Sequence, residues 1–141
     1  MQIEELIDNF ESLDDWEDKY RYIIELGEKL SPLDDKFKTD DWKVKGCTSQ
    51  VWLIPEINKG VVSLHGDSDA SIVRGLMAVV FIIFSNKSAK EIKQIEVENI
   101  FAKLGLEEHL SPSRRNGLVS MVGKIKFYAD KLDNEHSRVS S

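Results

Sequence analysis

The strongest nucleophile available to this chain occurs once. It is Cys47, in the run Val44-Lys45-Gly46-Cys47-Thr48-Ser49-Gln50-Val51-Trp52. A lone thiol closes no intramolecular disulfide and runs no dithiol exchange. By itself it holds neither an iron–sulfur cluster nor a cysteine-rich zinc site. What it can do is attack an electrophile or carry a group on its sulfur. The competing reading is a structural cysteine packed as a small hydrophobe. The neighbourhood favours the first: Gly46 precedes the thiol and polar Thr48, Ser49 and Gln50 follow it, as in a partly exposed loop leading into a strand.

Other chemistry is thinly represented. His65, His109 and His136 stand far apart, without the spacing of a metal site, so no metal is expected. Gly46, Gly60 and Gly66 are isolated and form no phosphate loop. A Cys47 dyad with His65 or His109 stays open, because such partners meet in space rather than in sequence. Arg114 and Arg115 fall in the first turn of a helix opened by Pro112, where positive charge opposes the helix dipole. They read either as surface ion pairs or as groups facing an anion, the thiolate or a partner. Arg74 raises the same question. Lys43 and Lys45 alternate on a short expected strand. They read as a solvated face or as cations that favour the thiolate of Cys47. Trp52, in the strand after the thiol, reads as core.

The elements that must position these residues follow from periodicity. Residues 2–11 read as an amphipathic helix on Ile3, Leu6, Ile7 and Phe10. A second helix runs to about Leu30, with Ser12 or Asp14 offered as its cap and Ser31-Pro32 as its stop. Residues 31–42 read as a polar connection. The period then changes to two: Lys43–Lys45, Gln50–Ile57 and Gly60–Gly66 read as strands, the last two joined as a hairpin by Asn58-Lys59-Gly60. Pro55 belongs near an end or an edge. Asp67-Ser68-Asp69 offers caps for an apolar helix over Ala70–Phe84, expected to be the central buried one. Ser88–Glu91 is a capping box. A helix over Val97–Lys103 stops at Gly105. Ser111-Pro112 opens the last helix, striped by Leu118, Met121, Val122, Ile125, Tyr128, Ala129 and Leu132. Segregated strands and helices give an α+β domain, a small antiparallel sheet covered on one face by helices. One domain over 1–133 and a polar, flexible tail over 134–141 are expected.

The bulk numbers are those of an ordinary globular chain: 141 residues, 41% hydrophobic, 31% charged, formal net charge −6. That acidity argues against a nucleic-acid partner. The longest apolar run, Leu76–Phe84, is nine residues, against roughly 20 for a bilayer span, so no membrane partner is expected. Glu4, Glu5 and Asp8 interrupt any export signal at the start. With one cysteine and no disulfide partner, a cytoplasmic location is expected.

Three motifs in order carry a resemblance. They are Val44-x-Gly46-Cys47-x-Ser49-x-Val51-Trp52, then Leu64–Ala70 with Ile72–Leu76, then Leu110–Leu118. Together they closely resemble the SufE family, which includes the CsdE proteins, over residues 2–132. The resemblance implies a SufE/IscU-like α+β fold and a sulfur-acceptor protein of SUF iron–sulfur assembly. Such a protein takes sulfur from the persulfide of a pyridoxal-phosphate cysteine desulfurase, SufS-like or CsdA-like, and delivers it to the SufBCD scaffold. Cys47 matches the acceptor thiol, implied to sit at a loop tip and to be shielded when idle. Gly46 belongs to the same motif. Arg115 matches a position on the partner-binding side. Lys45 and Thr48 occupy positions where members differ, which bears on partner preference. No cofactor of its own is implied. The residues agree: sulfur transfer needs one thiolate and no resolving cysteine, since a second thiol would release the sulfur by forming a disulfide.

Three functions are therefore carried forward. The first is a sulfur carrier that acts with and stimulates a desulfurase rather than a stand-alone enzyme. The second is a non-catalytic partner that stimulates a desulfurase through its surface. The third is a small cysteine hydrolase.

Overall fold

A computed structural model describes residues 1–140 in backbone and 1–134 in side chain; of the tail expected over 134–141 all but Asn134, His136 included, falls outside the described side chains. The described residues form two strands and seven α-helices: α1 (Ile3–Glu11), α2 (Trp16–Glu28), β1 (Val51–Asn58), β2 (Val61–Ser68), α3 (Ser71–Phe84), α4 (Ala89–Gln94), α5 (Val97–Leu104), α6 (Leu106–His109) and α7 (Pro112–Ser140). The architecture is the expected α+β.

The strands pair antiparallel from Val51↔Ser68 to Asn58↔Val61. Lys59 and Gly60, at the bend, both have positive φ, +54° and +79°. These are the signs of the two-residue turn whose twist matches paired strands. Only two strands form, not three. Lys43 makes a single bridge to Trp52, and Val44 N–H donates to Val51 O at 2.8 Å. Gly46, at φ +88°, then turns the chain away. Pro55 pairs with Leu64 beyond the edge that Lys43 and Trp42 cover, so its missing N–H is tolerated.

Helix α3 is apolar nearly all round and buried along almost its whole length. It packs under the face of the sheet carrying Val51, Leu53, Val62 and Leu64. Helices α2 and α7 pack against it as well. Helices α2 and α3 touch at Gly27 and Gly75. A Cβ on Gly75 would lie 2.6 Å from Ile23 Cγ2, and one on Gly27 would lie 2.6 Å from Gly75 N. Glycine is required there by contact, not by backbone angle.

Local chemistry departs from expectation at two helix starts. Asp15, not Ser12 or Asp14, caps α2 by accepting from Asp18 N–H. Helix α3 has no side-chain cap. The carboxylates meant for it are used across the end of the sheet. Asp67 lies 3.4 Å from Lys38 Nζ and 3.1 Å from Arg74 Nε, the latter off the line of a hydrogen bond. Asp69 accepts from Gln50 N–H. The capping box of Ser88 and Glu91 is complete, and Gly105 ends α5 at φ +67°. The four-residue α6 had no periodic signal. Trp52 is not core: it lies half-buried on the outer sheet face, under Lys38. Residues 31–42 contain one 3-10 turn, Asp35–Phe37, which brings Lys38 to that face.

Candidate functional site

The loop between Lys43 and β1 presents Cys47 to the first turns of α7. Gly46 makes the approach possible, since its φ of +88° is strained for a side chain and a Cβ there would lie 2.7 Å from Ser120 Oγ. Three contacts hold the loop to α7. Thr48 Oγ1 and Ser113 Oγ share a hydrogen bond of 2.6 Å. The Cys47 thiol donates weakly to Gly117 O at 3.8 Å. Gly46 packs on Ser120. Downstream, Gln50 N–H donates to Asp69 Oδ1 at 3.0 Å and Asp69 N–H to Gln50 O at 3.3 Å, pinning the loop where β1 begins.

Cys47 is half-buried beside a cavity of about 220 Å³. Val73 and Leu76 of α3 with Leu118 and Met121 of α7 form its apolar floor. Thr48, Ser49, Ser111, Ser113 and Arg114 form a polar mouth. Burial pushes the Cys47 thiol above its ordinary pKa, because leaving water disfavours the charged form. The expectation that cations would favour the thiolate is thus corrected for this conformation: the shift is upward, and desolvation alone causes it. A shift in this direction weakens the sulfur as a nucleophile, because the thiolate is the reactive form.

The remaining candidates divide. Arg114 lines the cavity, while Arg115 is exposed and lines a separate groove with Glu107 and Val119. Neither pairs with a carboxylate among the described residues. Ser111 accepts from Arg114 N–H, so the helix start is capped as the sequence suggests. Arg74 is engaged by Asp67 and does not line the cavity. Lys43 and Lys45 line a cleft with Ser120 and Lys124 on the other side of the loop. His65 bonds Glu56 at 2.9 Å on the outer sheet face. His109 stacks on Trp16, with ring centres 4.3 Å apart, and bonds Gly105 O. Neither histidine lines the cavity, so neither forms a dyad with Cys47.

Sequence reasoning missed Ser113, the Gly117 carbonyl and Ser120 as the groups that seat the thiol. Ser113 and Gly117 lie in the Leu110–Leu118 motif, which does not mark them as contacts of the thiol loop, and Ser120 has only the small-residue spacing along α7 as a signal. It also missed the Lys38–Asp67 pair, for which the sequence carries no signal at all.

The arrangement provides one thiol with no second cysteine, on a loop fastened by contacts at its rim. Among the described residues no group of three or more His, Cys, Asp or Glu side chains could hold a metal ion, and no helix is long and apolar enough to cross a membrane. Comparison with known proteins agrees on both fold and family. A solved structure, the solution structure of a hypothetical protein from Thermus thermophilus, superposes with a TM-score of 0.75 over 92% of this chain and 93% of its own; at 18% identity it speaks for the fold alone. An uncharacterized SufE-like protein of Rhizobium meliloti is 48% identical over 132 residues, 91% of this chain and 94% of that protein. Another, from Rhizobium etli, is 48% identical over 128 residues, 88% and 86% of the two chains. The family pattern described as SufE, an Fe-S metabolism associated domain, matches residues 4–129. The chain therefore belongs to the SufE family, the sulfur-transfer partners of cysteine desulfurases in iron–sulfur metabolism.

Proposed function

We propose that Cys47 is the sulfur acceptor, that the chain stimulates the desulfurase that loads it, and that it passes the sulfur to a SufBCD-type scaffold in the cytoplasm. The donor is a pyridoxal-phosphate cysteine desulfurase of SufS or CsdA type. In the transfer step the Cys47 thiolate attacks the outer sulfur of the donor's persulfide. The donor's S–S bond breaks, its cysteine leaves as thiolate, and a new S–S bond leaves Cys47 as a persulfide. The proton Cys47 must first release goes to solvent or to the leaving thiolate. No net oxidation occurs, because the sulfane sulfur only changes hands.

The observation that carries this reading is the seating of the lone thiol: half-buried, on a glycine turn, held by exposed contacts to one helix. Closed, the thiol is protonated and sheltered from oxidation. Swung out, it regains water and its ordinary acidity, and it has the reach to enter another protein's active site. Arg114, at the cavity mouth, is placed to meet the anionic persulfide.

Mass spectrometry after incubation with desulfurase and free cysteine tests the reading. The expected product is a Cys47 adduct of about 32 Da, one sulfur, absent in Cys47→Ser. If the wild-type chain gains no sulfur while Cys47→Ser stimulates turnover in full, the chain is a non-catalytic activator and the acceptor role is wrong.

A further inference from the structure

Among the described residues nothing accounts for Gly123. It sits inside α7, exposed, and a Cβ built on it would touch nothing within 4 Å. Glycine in an exposed helix interior is less favourable than alanine. Four residues to either side stand Val119 and Phe127, 67% and 58% exposed, the most exposed large apolar side chains among the described residues. The i, i+4, i+8 spacing puts all three on one face of the helix. The result is a ridge with two apolar shoulders and a bare stretch of backbone between them.

Two further observations say what covers it. The ridge is continuous with the Cys47 loop, because Ser120, one turn from Gly123, is the residue on which Gly46 packs. Its border carries three lysines against two aspartates, a positive excess in an acidic chain. Gly123 and Phe127 line one cleft with Lys43, Lys45 and Lys124, and with Asp40 and Asp41, and Lys124 Nζ lies 5.4 Å from the centre of the Phe127 ring. A surface that meets this face needs an apolar group to seat over Gly123 and carboxylates to meet the lysines.

We propose that the Val119–Gly123–Phe127 ridge is the docking surface for the persulfide donor, which lays an apolar segment over the Gly123 backbone and sets acidic side chains against Lys45 and Lys124. This rests on the reading of Cys47 as acceptor, since the donor must approach the face that bears the thiol. Charge would set the encounter rate and the apolar seat the lifetime of the complex.

Calorimetric titration of the full chain into a SufS-type cysteine desulfurase is the test, with Gly123→Ala, Phe127→Ser and Lys124→Glu beside the wild type. Gly123→Ala is expected to raise the Tm of the free chain yet weaken binding ten-fold or more. Phe127→Ser weakens binding comparably, and Lys124→Glu weakens it and flattens its salt dependence. If the wild type binds and all three variants bind as tightly, the docking assignment is overturned while sulfur acceptance stands. If the wild type does not bind, both fall. If sedimentation shows a dimer that Phe127→Ser dissociates, the occupant is a second copy and the assignment to the donor is overturned.

Discussion

Ser113→Ala is the smallest change that separates the seating of the thiol from the stability of the fold. Ser113 is exposed, and among the described residues its hydroxyl has one partner, Thr48 Oγ1 at 2.6 Å. That bond fastens the tip of the Cys47 loop, since the thiol's own contact with Gly117 O is long and weak. A hydrogen bond of this kind contributes a net of about 0.5–1.5 kcal/mol. At about 1.4 kcal/mol per factor of ten, its loss raises the open population by about 2- to 12-fold. The pair is water-exposed, which places the effect at about 2- to 5-fold. An alkylating reagent reads that population directly, provided reclosing outpaces the reaction. The assay is the rate of Cys47 carbamidomethylation by iodoacetamide, followed by intact mass and normalised to the rate in denaturant. Tm should stay level, because the lost contact lies outside the core and alanine is the better helix former. An alkylation rate equal to that of wild type would refute the idea that this hydrogen bond holds the loop.

Other consequences follow from the same structure. Because burial raises the Cys47 pKa, the folded, closed form holds its proton to higher pH than the unfolded chain. Stability from this group is full below the ordinary thiol pKa and is lost as pH rises through the raised one. Thermal melts across that window should show a fall in Tm that Cys47→Ser removes. Gly75→Ala forces a Cβ to within 2.6 Å of Ile23 Cγ2 and into the Ile23 carbonyl. Denaturant melts should show a loss at or above the top of the usual overpacking range of about 1–3 kcal/mol. Ser88→Ala removes half of the capping box that starts α4, and the same melts should show a loss of about 1 kcal/mol. The hydrogen bonds of Ser88 lower the Glu91 pKa. That contribution is present above the ordinary carboxylate range and fades as pH falls through the lowered value; the Ser88 backbone N–H, its first cause, survives in the variant, so Ser88→Ala should keep most of this acid dependence and lose only the hydroxyl's part.

Much of the architecture was legible in the sequence because local physics decides it. The period of the apolar residues set α1, α3 and α7, and the Ser88–Glu91 and Ser111-Pro112 signatures started two helices where the structure has them. Asn58-Lys59-Gly60 made a hairpin because two adjacent residues there take positive φ. The count of cysteines restricted the chemistry to that of one thiol before any fold was known.

Tertiary structure alone decided the rest. Asp67 and Asp69 have the right side chains for a cap, yet Lys38, Arg74 and Gln50 arrive from elsewhere in the chain and engage them. Trp52 alternates as a core residue should, but its alternation points it to the outer face. The thiol carries no mark in the sequence of how deeply it sits. That depth comes from the thiol's seat on Gly117 and from its loop neighbours Thr48 and Gly46 meeting Ser113 and Ser120, about 70 positions away. Residue type and short spacing are local properties and survive in a string of letters; desolvation depends on which distant groups exclude water, and only the folded chain assembles those.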